Sequence, residues 1–106
     1  FSAGIRPSTV EAKVVQDADR LDALGAIGTA RAIAVGAALG RPLYRPDDPF
    51  CERREPDDRG ASVDHFFTKL LKLAGTMQTD AGRREALRRT EFMQAFLGQL
   101  RREIGP

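Results

Sequence analysis

The sequence predicts an all-α fold, and two observations carry that expectation. Apolar residues recur at spacings of three and four through most of the chain, and no segment alternates apolar and polar residues as a half-buried strand does. About four helices are expected, with one long loop at roughly 38–60. The 106 residues, 42% apolar and 30% charged, suffice for a single domain with a real core and are short for two.

Pro7, Ser8 and Thr9 lead into the first helix. Either hydroxyl can cap it, and Glu11 falls in the first turn, where an acid suits the helix dipole. From Val10 to about Asp22, Val14, Ala18 and Leu21 lie at helical spacing, with Val15 and Leu24 widening the stripe. LGAIGTARAIAV, residues 24–35, continues the pattern with Gly25 and Gly28 three apart. Glycine costs helix propensity, so this pair implies either close approach of another backbone or a break near residue 24. One bent helix and two short ones fit equally.

Residues 36–60 hold four of the six prolines and show no period. They read as a long loop whose charges alternate in sign, a solvated excursion or, in a larger domain, a lid. Within it, Leu43 and Tyr44 of GRPLY are expected to dock on the core. Ser62 is expected to cap SVDHFFTKLLKLAGTM, with Val63, Phe66, Phe67, Leu70, Leu71 and Ala74 as its apolar face and Lys69 and Lys72 on the flanks. Thr79 or Asp80 starts the last helix, in which Leu87, Phe92, Met93, Phe96, Leu97, Leu100 and Ile104 repeat at three and four. Its other face carries Arg83, Arg84, Arg88, Arg89, Arg101 and Arg102.

Composition narrows the function classes. A formal charge of +2 and a basic last helix without aromatic residues on its basic face argue against a nucleic-acid polymer as partner. The single cysteine, Cys51, can form no internal disulfide and no thiolate metal cluster. No stretch approaches 18 apolar residues without charge, so no membrane partner is expected and the cytoplasm is the expected compartment. A Gly-rich phosphate loop, a nucleophile elbow and zinc-ligand spacing are all lacking.

The stretch VVQDADRLDALGAIG, residues 14–28, sets Asp17, Asp19 and Asp22 into an apolar, helix-compatible run. Charge there is costly unless it meets water, an arginine or a metal. On one helix Asp19 and Asp22 share a face, while Asp17 points about 200° from Asp19. The three cannot converge on one site, so one carboxylate for function, one for a cap or salt bridge and one for solvent or a supporting role are expected. Arg20 turns roughly 100° from Asp19 and is not automatically its partner. The one histidine, His65, reads as a surface or packed residue, and one His with one Asp cluster does not make a metal site.

DADRLDA.GAIG, followed in order by GRPLY at 40–44, HFFTKLLKL at 65–73 and a pattern of Thr79, Gly82, Arg83, Ala86, Arg89, Phe92, Met93, Phe96 and Leu97, resembles the HD-domain metal-dependent phosphohydrolases, in particular a group of small bacterial HD-domain hydrolases. The resemblance covers nearly the whole chain. It implies the C-terminal helical part of an HD domain, lacking the N-terminal helices with the first histidine and the His-Asp pair. In that family these groups and a distant aspartate hold one or two divalent ions that activate water for attack on phosphorus.

The aspartate matches Asp19. Arg20 resembles a basic residue that approaches substrate phosphate, and Asp17 and Asp22 are implied in supporting roles. Arg20, Lys69, Lys72, Arg83 and Arg89 form a candidate phosphate-binding set. With Asp19 alone, residues 1–106 are expected to hold no metal and to be inactive by themselves. The complete protein is expected to cleave a phosphate ester or nucleotide phosphoanhydride. The alternative is a non-catalytic helical module that binds itself, or a complementary N-terminal fragment, through residues 23–38.

Overall fold

The computed structural model describes residues 9–105, and every regular element among them is helical. α1 (Val10–Leu21), α2 (Gly25–Ala38), α3 (Ser62–Thr68), a 3-10 helix (Leu70–Thr76) and α4 (Asp80–Ile104) follow in order. Pro7 and Ser8 lie outside the described residues; Thr9 caps α1, its Oγ1 accepting from the Ala12 N–H at 3.0 Å. The long α4 is the spine: α1, α2 and the 3-10 helix all pack on it, and α3 packs on α2 and on the 3-10 helix. The core is built from Leu24, Val63, Phe66, Leu70, Leu73, Met77, Ala86, Met93 and Leu97, with Phe50 entering from the loop.

Both expectations for the two glycines hold at once. α1 and α2 are separate helices whose axes bend by 59°, and Gly25 at the break has a φ of 78°, a left-handed conformation that side chains resist. Gly28, one turn on, lies so close to Ala23 that a Cβ would collide with the Ala23 carbonyl.

α1 splits the expected stripe: Leu21 packs against the core and Leu24 is buried, while the valines face outward. Its buried residues are Asp17 and Arg20, whereas Val10 is 71% exposed and Val14 and Val15 are also exposed. The inward side of α1 carries Asp17 and Arg20 together with Leu21. Ile27, Val35 and Leu39 of α2 add to this open apolar surface. The radius of gyration is 14.7 Å, against about 13 Å for a compact domain of this length.

Three further expectations are corrected. Ser62 does not cap α3: it is the first helical residue, and Ala61 stands at the cap position without a side-chain hydrogen bond. The free N–H groups of Ser62 and Val63 instead donate to the carbonyls of Pro42 and Leu43, each at 2.9 Å, so GRPLY docks as expected and also closes the helix start. The helix does not run on to Met77. It breaks at Lys69 and tightens to three residues per turn, which aligns Leu70 with Leu73. On α4, Leu87 and Phe92 are exposed, because the buried line passes through Gly82, Ala86, Thr90, Met93 and Leu97.

The loop between α2 and α3 is tied down, although many of its residues are solvent-exposed as expected. The Arg54 guanidinium donates to both oxygens of Asp64 at 2.5 and 3.0 Å and to the Asp48 carbonyl at 2.9 Å. Asp64, 0% exposed, also accepts from the Asp57 N–H at 2.8 Å. Asp48 accepts from the N–H groups of Glu52 and Arg53 at 3.0 and 2.9 Å. Phe50 is buried under Arg101, whose guanidinium carbon lies 4.3 Å from the ring centre. Cys51 sits in this knot at a φ of 55°. Burial, then the hydrogen bond and charge of Asp64, push its thiol up to about 11.

Two outcomes follow. Cys51 should react with iodoacetamide at pH 8 roughly a hundredfold more slowly in the folded chain than in denaturant, because the thiolate is the nucleophile; equal rates would show that the loop is not held. Gly28→Ala should cost about 1–3 kcal/mol by overpacking, read as a lower midpoint in urea unfolding.

Candidate functional site

Asp17 reaches from α1 to the junction before α4. Its carboxylate accepts from the Gln78 N–H at 2.8 Å and from the Thr79 N–H and Oγ1 at 2.8 and 2.7 Å. Burial raises its pKa, but these hydrogen bonds, with Arg20 nearby, outweigh it and hold the group below the usual carboxylate range. Gly82 makes the approach feasible, since a Cβ there would run into the Asp17 carboxylate. Thr79 also caps α4, accepting from the Gly82 N–H at 2.9 Å.

Among the expected phosphate-binding residues, three are engaged by backbone. Arg20 is buried and donates to the Thr76 carbonyl at 2.6 Å. Arg89 donates to the Leu21 carbonyl at the end of α1 at 2.6 Å and to Glu85 at 2.8 Å. Arg83 pairs with Asp80 and donates to the Met77 carbonyl. Lys69 is half-buried at the break after α3, and Lys72 is exposed on the 3-10 helix. Three of the five thus bind carbonyls at helix ends, and none of the five lines the cavity between α2 and α3.

Asp19 and Asp22 are exposed. Asp19 emerges on the outward side of α1, opposite Asp17, beside the uncovered valines, and Asp22 follows the last turn of the helix. Among the described residues no three His, Cys, Asp or Glu side chains gather as a metal would require. The donors of this chain do not by themselves fit a resident ion.

A cavity of about 450 Å³ opens between α2, the loop and α3. Ala32, Val35 and Leu70 give it an apolar wall, and Arg31, Arg41, Arg59, Asp58 and His65 bring charge to it. His65 Nδ1 lies 3.1 Å from Asp58, whose other oxygen accepts from Thr68. Burial raises the Asp58 pKa, and the bonds from Thr68 and His65 bring it below its usual value. Sequence reasoning missed this grouping because its members are separated by up to 34 positions and only the fold of the loop brings them together. The sole local signal was Gly28, Arg31 and Val35 at helical spacing.

No family model matches the chain. It is 43% identical over 98 residues to the protein YpgQ of Bacillus subtilis, which covers 92% of this chain and 42% of the relative. The crystal structure of B. subtilis YpgQ in complex with ADP superimposes with a TM-score of 0.76 at 44% identity, over 92% of this chain and 45% of that one. The crystal structure of an HD-superfamily hydrolase from Bacillus thuringiensis aligns with a TM-score of 0.74 at 48% identity, over 87% of this chain and 45% of that one. The chain has an HD-like fold. This HD-like chain spans less than half the length of these three relatives. No single described helix of it is long and apolar enough to cross a membrane.

The lowered pKa of Asp17 fixes the sign of its pH dependence. Its contribution is fully present above the ordinary carboxylate value of 3.8 and is lost as pH falls through the lower folded value. Asp17→Asn should therefore cost about 1–3 kcal/mol at pH 7 and flatten the loss of stability below pH 4. Urea unfolding across pH 2–7 measures both.

Proposed function

We propose that these residues work as the C-terminal half of an HD-type metal-dependent phosphohydrolase domain. The observation that supports this most directly is the presentation of Asp19: an exposed carboxylate beside exposed valines on the outward side of α1, fixed in place by the buried Asp17 two residues earlier. A carboxylate so placed suits a divalent ion whose remaining ligands, a histidine and a His-Asp pair, come from helices laid over α1 and α2. The exposed Val10, Val14, Val15, Ile27, Val35 and Leu39 form the surface that such helices would cover.

The likeness to an HD-superfamily hydrolase supports the reaction class, hydrolysis at phosphorus. The ADP held by the related YpgQ structure supports a nucleoside phosphate as substrate class, attacked as a phosphate ester or phosphoanhydride in the cytoplasm. Asp22 stands one turn from Asp19 and serves to shape the end of α1. Arg20 supports Asp19 from behind by holding α1 against the 3-10 helix, rather than by touching substrate. Self-association through the same apolar face remains the competing reading of that surface, and it is what these residues would do without a covering half.

The test joins or mixes this chain with an N-terminal half that supplies the histidine and the His-Asp pair, beginning with the reading frame upstream of Phe1. Manganese-supported release of phosphate from nucleotides is then measured. Asp19→Asn should lower kcat at least about a hundredfold, as loss of a metal ligand does, whereas Asp22→Asn should leave most of the activity. Full activity in Asp19→Asn would rule the assignment out.

A further inference from the structure

A second cavity, of about 670 Å³, lies at the C-terminal end of α4, where Pro49, Phe50 and Glu52 of the loop meet Arg101, Arg102 and Ile104. No residue of α1 or α2 lines it. Arg101 stands roughly 18 Å of helix beyond Arg89, the residue that holds the end of α1. We infer that this cavity binds a small organic acid, a carboxylate carried on an apolar body, with Arg101 as the group that receives the carboxylate. The inference rests neither on the hydrolase reading nor on a metal.

Three observations carry it. The first is that a carboxylate already sits on the receiving group. Glu52 Oε1 lies 3.3 Å from Arg101 Nη1, and both side chains are more than half exposed. An ion pair so open to water is weak, so a carboxylate from solution that also gains apolar contact can take the place of Glu52. Both partners of this pair line the cavity, which makes the Glu52 carboxylate an internal stand-in for the ligand.

The second is the way Arg101 is held. Its guanidinium carbon lies over Phe50, 4.3 Å from the ring centre, a contact that orients the plane of the fork and leaves its N–H edge to an anion. Phe50 is buried and cannot follow a moving side chain, so the receiving group is preset rather than gathered on binding. The dipole of α4 accounts for a basic last turn, but it does not ask for an aromatic ring beneath it. Arg102 adds a second positive charge, its Nη2 donating to Gln99 at 2.6 Å. With Glu52 the sole acid among the lining residues, the concave surface favours an anion.

The third is size and lining. The volume falls within the range of small-molecule pockets, roughly 300–1,000 Å³. Pro49, Phe50 and Ile104 set apolar surface beside the two guanidiniums. A bare inorganic anion would leave that surface uncovered, and an uncharged apolar molecule would leave Arg101 to Glu52. An acid with an aromatic or alkyl body meets both.

The experiment titrates 3-phenylpropionate into the 106-residue chain in EDTA and follows the Ile104 methyl signal by NMR, assigned with Ile104→Val. The signal should shift saturably. Acetate, which lacks the apolar body, and 3-phenylpropionamide, which lacks the charge, should each bind at least roughly tenfold more weakly. Arg101→Gln should weaken binding of the acid by roughly tenfold, and Arg101→Lys should recover part of it. Glu52→Gln should tighten binding roughly threefold, because the competing carboxylate is gone; a pair that only held the loop would give no such gain. Both side chains are more than half exposed, so these variants should keep their helical circular dichroism. A stationary Ile104 signal, acetate or the amide binding as tightly as the acid, or unchanged affinity in Arg101→Gln or Glu52→Gln would overturn the site. The chain joined to a covering half should give the same titration, since no residue of α1 or α2 lines the cavity, and neither result bears on the Asp19→Asn experiment.

Discussion

The Asp17 carboxylate is the constraint on which the arrangement of helices depends. Three donors from Gln78 and Thr79 converge on it, and all three come from the junction that launches α4. A buried acid is costly until its oxygens are satisfied, so α1 can settle only where those donors are. The positive end of the α4 dipole adds to the attraction. Once α1 is fixed at this point, Arg20 reaches Thr76 and Arg89 reaches Leu21, each adding a charged donor to a carbonyl at a helix end. Buried polar groups together with Leu21, not the valines, therefore join α1 to the rest of the molecule.

A second buried acid does the same for the loop. Asp64 takes two hydrogen bonds from Arg54 and one from the Asp57 backbone, which converts a proline-rich connection into a fixed wall of the cavity next to α3. Removing one partner of such a pair leaves a stranded charge, typically at a cost of about 3–5 kcal/mol. Arg59, Asp58 and Arg41, which stand with His65 around that cavity, belong to the loop that this knot ties down. Phe50 and Arg101 pin the far end of the same loop to α4.

Much of the fold was legible in the sequence. Helical spacing gave the helices, Thr9 and Thr79 marked two of their starts, and the glycine pair marked the elbow. The same periodicity could not say which side of α1 turns inward, because a hydrophobic stripe faces whatever the complete assembly offers, and α4 offers hydrogen-bond donors to the other side. The angular separation of Asp17 and Asp19 was readable from helix geometry, and it matches their burial and exposure. The arginines were not readable in this way. Their targets are main-chain carbonyls, which leave no mark on the sequence, and the cluster around His65 is assembled by loop contacts of long range. Thr79, Gly82 and Arg89, which carried part of the family resemblance, prove to be fittings for α1: a double donor, a gap for a carboxylate and a clamp on a helix end.

The two-residue spacing between Asp17 and Asp19 gives α1 the character of an indexed shaft. Each residue added to or deleted from the helix between these carboxylates would rotate one against the other by about 100°, and the anchor cannot yield because its three donors sit on another element. Asp19 would then face a neighbour in place of the open side. The two-residue step from Asp17 to Asp19 is therefore a gauge as well as a pair of acids.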